Sequence, residues 1–315
     1  MAINVNEIIY PSDINKILRG IDGVGMNIMP IKWTDISQDF TTSSIYSICY
    51  GNGKFIAGGL SGKMGYSTDG ITWVAIQGFT TSSIESICYG NGKFVAGDYN
   101  GGMGYSTDGI NWKAISQDFT PYGFYSICYG NGKFIAVSDY GRMGYSTDGI
   151  NWKAISQDFT PSNTSHIQSV CYGNGKFVAG SSVGNMGYST DGINWKAISQ
   201  DFITYVVYSI CYGNGKFVAV GYNGKMGYST DGINWKAISQ SIFDTDHIRS
   251  VCYGNGKFVA GDYNGRMGYS TDGINWKAIS QDFTPYSVYS ICYGNGKFVV
   301  GGESGSIAYC QSGIL

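Results

Sequence analysis

Charge is scarce in this 315-residue chain: Asp, Glu, Lys and Arg make up 13%, and 20 basic residues stand against 22 acidic ones for a net charge of -2. That excludes nucleic acid as a partner, because phosphate binding needs clustered Lys and Arg. Histidine is scarcer still, with only His166 and His247, and no C-x-x-C pair occurs. The sequence therefore assigns no metal site and no cofactor. No apolar run approaches the roughly 18 residues of a bilayer span, so membrane insertion is not expected. The opening "MAINVNEIIYPSDINKILRG" has no basic stretch leading into an apolar core, so export by a Sec signal is not expected.

What the chain does have is repetition. The heptapeptide "CYGNGKF" begins at Cys49, Cys88, Cys128, Cys171, Cys211, Cys252 and Cys292, a spacing in the range of propeller blades and solenoid units. Gly at 48, Tyr at 26 and Phe at 15 favour short strands and tight turns over stacked helices. One cysteine per unit reads as a small buried thiol rather than part of a disulfide framework, and Cys310 stands outside the pattern.

A single unit, Phe124 to Phe159, reads as four strands. "YSICY" is followed by Asn131-Gly132, the positive-φ pair of a two-residue type I′ hairpin, and then by "KFIAV". "SDYGR" turns the chain into "MGYS", and "TDGI" turns it into "NWKAIS". "GNGK" is not a phosphate loop, since a strand-forming Phe follows the Lys where a P-loop opens a helix. Sheets apolar on both faces need like neighbours on each side, which a ring supplies. The expected fold is all-β, a seven-bladed propeller spanning 31–315. The last unit ends before any fourth strand, while "IKWTDISQDF" at Ile31 to Phe40 matches "INWKAISQDF" in register. Ile31 to Ile36 is therefore expected to supply the missing outer strand, a 3+1 closure.

At the third-to-fourth turn, "STDGITW" occurs once, from Ser67, and "STDGINW" five times, from Ser106, Ser146, Ser189, Ser229 and Ser270. This resembles the Asp-box, or BNR, repeat of sialidase-type and other propellers, over essentially residues 31–315. It is one residue shorter than the commonest form, and the seventh copy, "CQSGIL", lacks the Asp. Asp69, Asp108, Asp148, Asp191, Asp231 and Asp272 are read as structural, accepting backbone amides of their own turns. The resemblance implies the same, since in that family these boxes are turn elements away from the active site.

Seven units in one chain can be compared with one another. The "GNGK" and "STDGI" turns barely change, whereas the second-to-third turns and the connections between units differ throughout. Alternating strand direction puts these two variable connections on one rim and the repeated turns on the other. A varied face on a rigid frame is what a binding surface requires. The candidate ligand-binding residues are those of the varied turns: Asp98, Tyr99, Asn100, Tyr140, Arg142, Tyr222, Asn223, Asp262, Tyr263, Asn264 and Arg266. Tyrosine suits the role, offering a flat apolar face and a hydroxyl at low entropic cost.

The leading functional reading is a non-catalytic, lectin-like or receptor-binding module for a cell-surface glycan or surface protein, with multivalent pockets. A sialidase-like hydrolase is the alternative that the Asp-box resemblance raises. That chemistry in the family uses three convergent arginines, and this chain has only Arg19, Arg142, Arg249 and Arg266, with Arg19 outside the ring and Arg142 and Arg266 in separate blades. A structural protein-interaction platform is the third reading. Residues 1–30 carry Ile14, Ile17, Leu18 and Ile21 at the spacing of a short amphipathic helix, which would dock on the ring or join copies of the chain. Such a leader resembles attachment segments of phage tail and tail-like bacteriocin proteins, implying cytoplasmic synthesis and release as part of a virion or particle.

Overall fold

The computed structural model describes residues 33–311 apart from 37–39, 157–158, 161–164, 240–241, 280–282 and 284–285. The leader helix expected within residues 1–30 lies outside the described residues. Seven four-stranded antiparallel sheets are arranged as blades, each running outward from the axis in chain order. In blade 1 the strands are Ile45–Gly51, Lys54–Gly59, Met64–Ser67 and Val74–Ile76. Blades 2 to 6 repeat this order, and blade 7 is composite. Its three inner strands, Val288–Gly294, Lys297–Gly302 and Ile307–Gln311, are completed by Thr34–Ile36, with Thr34 opposite Tyr309 and Ile36 opposite Ile307. The 3+1 closure thus forms, and Trp33 lies buried in one cluster with Phe298 and Cys310.

The hairpins follow the local chemistry. Asn131 and Gly132 both take positive φ, 45° and 73°, and the other six Asn-Gly pairs repeat this. Residues of the second strand are buried on both faces and feed alternate interfaces. Phe55 and Ala57 join the cluster between blades 7 and 1, while Ile56 joins the one between blades 1 and 2. The core is accordingly seven apolar layers, one between each pair of blades. Aromatic stacking ties the layers to the connections: Phe119 in the segment entering blade 3 stacks on Trp152 at 5.7 Å, as Phe40 does on Trp73 at 5.6 Å.

Polar bonds close the ring near its axis. A bulge between Ile45 and Ser47 shifts the inner-strand register, and its equivalents recur in all seven blades. The amide of Ile87 then donates to Ser47 Oγ of the preceding blade at 2.9 Å, and Ile48 donates likewise to Ser290 of blade 7. The same bond links the remaining five interfaces. Each inner strand is a sheet edge whose outward amide would otherwise go unpaired. Close approach is enforced there too, since a Cβ on Gly130 would overlap the Tyr172 ring of the next blade. Replacing buried Ser47 by Ala strands the Ile87 amide and is expected to cost about 1–3 kcal/mol. Urea unfolding measures that loss, and amide exchange at Ile87 should accelerate; unchanged values in both would refute the role given to the bond.

Candidate binding face and channel mouth

The two rims separate as strand alternation requires. On the repeated rim, Asn91 Nδ2 donates to the Thr147 carbonyl of the next blade at 3.2 Å, and Asn295 does so to Thr68 across the closure at 3.3 Å. The turn aspartates lie on this rim. Asp108 Oδ1 accepts the amides of Ile110 and Asn111 and the Ser106 hydroxyl, and the side chain of Asn111 caps Oδ2. The Asn111 amides, backbone and side chain, and the Ile110 amide hold the Asp108 carboxyl well below the usual carboxylate range. Asp69, Asp148, Asp191, Asp231 and Asp272 make the same turn bonds.

On the opposite rim, every second-to-third turn is anchored to the connection entering its own blade, as in Tyr99 N to Ser83 O at 2.9 Å and Tyr263 N to His247 O at 3.0 Å. The structure divides the eleven candidate residues. Tyr99, Tyr140 and Tyr263 stand out at 58%, 41% and 48% exposure. Asn100, Arg142, Asn223 and Asn264 are also exposed. Tyr222 is half-buried, stacked on His247 at 4.3 Å. Tyr140 sits at φ 53° and packs edge-on against Tyr122 at 4.6 Å. Asp98 and Asp262 are turned inward and buried, Oδ1 of each accepting two turn amides, those of Asn100 and Gly102 at Asp98 and of Asn264 and Arg266 at Asp262. Asp98 Oδ2 accepts the Thr80 hydroxyl, and Asp262 Oδ2 lies 3.8 Å from Arg266 Nε without a hydrogen bond. Arg266 is occupied as well, bonded to Asp244 at 3.0 Å and to Asp246. The reason is local: a short acid following a strand end folds back onto its own turn before it can reach outward.

The heptapeptide cysteines, expected as buried thiols, instead line a central channel of about 410 Å³ together with their Ile or Val and Tyr neighbours. The inner strand is the sheet edge nearest the axis, with no further strand to cover it, so these thiols are half-buried. They are unbridged. Desolvation still pushes Cys49, Cys171 and Cys252 up to about 12, which keeps them protonated and poorly nucleophilic at neutral pH. Cys310 alone is buried in a core cluster.

One inner-strand position per blade lies just ahead of the channel-lining residues, at the varied-rim end of the strand that forms the channel's mouth: Tyr46, Glu85, Tyr125, Gln168, Tyr208, Arg249 and Tyr289. The sequence reading passed over these as a site, although a signal existed: this is the changing letter ahead of the nearly constant "SICYG" or "SVCYG". Neighbours touch around the mouth. Tyr46 meets Tyr289 at 5.3 Å, and the Arg249 guanidinium lies 4.3 Å over Tyr208 and 5.4 Å from the Tyr263 ring. Asp139 Oδ1 lies 2.6 Å from His166 Nδ1. Burial, and then the hydrogen bond to the Asp139 carboxylate, raise the Tyr125 phenol above its ordinary value.

Neither a protein-family model nor a curated protein sequence matches the chain. Solved structures do resemble it. YCF48 bound to D1 peptide shares 17% identity at TM-score 0.73, covering 91% of this chain and 97% of that one. A catalytically inactive virginiamycin B lyase from Staphylococcus aureus with quinupristin shares 12% at TM-score 0.79, covering 89% and 99%. The WD40 propeller domain of Doa1 shares 12% at TM-score 0.68, covering 90% and 97%. At such identities the likeness establishes the fold and nothing about the ligand.

Glu85 offers a test of the mouth's electrostatics. Burial, and then the neighbouring Asp98 carboxylate, raise its carboxyl from 4.5 to about 7. The folded state then binds this proton more tightly than the unfolded state does, so stability falls as pH rises between those two values. Glu85→Gln should gain stability relative to the wild type between pH 4 and pH 8, read as diverging urea midpoints. A pH-independent difference would contradict this environment.

Proposed function

We infer that the protein is a non-catalytic binding module, a lectin-like propeller that takes a cell-surface carbohydrate on its varied rim. The observation that carries this reading is the confinement of variation to one rim and its convergence on the channel mouth. Seven sheets that repeat nearly letter for letter hold four tyrosines, a glutamate, a glutamine and an arginine around a single opening. The exposed aromatics of that rim are tyrosines, Tyr99, Tyr122, Tyr140, Tyr205, Tyr263 and Tyr286. Their rings stack on the C–H faces of sugars while their hydroxyls bond the sugar oxygens.

The non-catalytic part of the reading rests on how the rim carboxylates are engaged. Asp98 and Asp262 serve their turns, Asp244 and Asp246 bind Arg266, Asp139 faces His166 and Glu303 accepts the Ser287 hydroxyl, which leaves Glu85, among the described residues, as the mouth's single unengaged acid. A paired-carboxylate hydrolysis would need two such groups available to the sugar. The varied rim and the unbridged channel thiols fit a phage or tail-like adhesin assembled in a reducing compartment. A protein-platform reading has one observation in its favour, the peptide held by the YCF48 propeller.

A glycan array probed with wild type, Tyr263→Ala and Tyr289→Ala tests the assignment. The wild type should retain a subset of glycans, and both variants should lose it while melting close to wild type. Retention unchanged in both variants would remove the site, and turnover of a bound glycoside would overturn the non-catalytic reading.

A further inference from the structure

The mouth ring contains one cation, Arg249, and one of its donors is unsatisfied. Its Nε is shielded from water with no hydrogen-bond partner, and among the described residues no carboxylate lies within salt-bridge distance. Arg266, the other arginine of this blade, shows the contrast, held by Asp244, Asp246 and Asp262. Tyr208 and Tyr263 fix the Arg249 guanidinium through their ring faces but offer it no acceptor there. A guanidinium whose Nε is shielded from water and left without an acceptor carries a free-energy cost, which a planar oxyanion bonding Nε and a terminal nitrogen in parallel would relieve.

We propose that the channel mouth recognises an acidic saccharide, a sugar chain bearing carboxylates, with Arg249 as the anchor for the carboxylate. This rests on the carbohydrate reading above and names its ligand class. The ring's own acid, Glu85, stands on blade 2, well around the ring from blade 6, so it does not neutralise Arg249. Gln168 and the tyrosines supply donors and acceptors for the hydroxyls. An acidic peptide fits less well. The inner-strand edges that could pair with an added strand are closed by the serine bonds between blades. The rim also presents amphipathic tyrosine rather than sockets for apolar side chains. The adjoining channel, about 410 Å³, falls within the size range of small-ligand pockets.

The test uses the full chain and uronic-acid oligosaccharides from pectin, alginate and hyaluronan, each beside its carboxyl methyl ester, with a poly-glutamate peptide as the competing anion. Calorimetry should show at least one acid form bound, its ester weaker by roughly thirty-fold. Arg249→Gln should bind acid and ester alike, and Arg249→Lys should fall between, keeping the charge but not the fork. Equal binding of acid and ester by the wild type, or an Arg249→Gln variant that still discriminates, sinks the anchor and leaves the carbohydrate reading standing. Binding of poly-glutamate with none of the saccharides overturns both. A chemical melt of each variant verifies that lost discrimination is not lost fold.

Discussion

A sheet that is apolar on both faces is unstable by itself, and that constraint organises this molecule. Each blade can exist only with a neighbour against either face, so the stack must close on itself. Closure is achieved by joining the two ends of the described chain in one sheet, where Thr34–Ile36 pairs with Ile307–Gln311. The seven serine-to-amide bonds around the axis then satisfy the inner edges that any open arrangement would leave exposed. Loss of one interface is felt around the whole ring, because every layer of the core belongs to two blades.

Rigidity on one rim makes variety affordable on the other. The repeated rim is tied blade to blade by asparagine side chains and stiffened within each turn by an aspartate. With the frame fixed there, the opposite rim tolerates connections of different length and composition without disturbing strand register. That is why a Tyr can sit at positive φ at position 140, and why a carboxyl can be held half-desolvated at Glu85, without unravelling the blades beneath them.

The mouth gains its chemistry from convergence. No single blade carries a site: one contributes a tyrosine, the next an acid, another a glutamine or an arginine. Only the ring brings Tyr289 of the last blade against Tyr46 of the first. Aromatic faces from the preceding blade and from its own blade's turn then orient the Arg249 guanidinium, while burial and the Asp98 carboxylate tune Glu85.

The sequence by itself determined the strands, the turn types, the number of blades and the closure, because each is written in short local signals, most of them repeated from blade to blade. The Asn-Gly hairpins, the turn aspartates and the matching "IKWTDISQDF" segment are short-range signals that tertiary packing had no cause to override. The division into a constant and a varied rim was equally legible, since it follows from strand alternation. Tertiary structure alone decided which varied residues are presented outward on the rim. Asp98 and Asp262 looked available as letters but fold inward onto their own amides, and Arg266 is consumed by a loop some 20 residues earlier. Conversely, the bulge at Ile45–Ser47 and the convergence of seven sheet edges on one axis turned an unremarked strand position into the mouth, and brought cysteines expected in the core to line the channel. A one-residue shift of register reverses which face a side chain meets, and the sequence carries no local mark of where that shift falls.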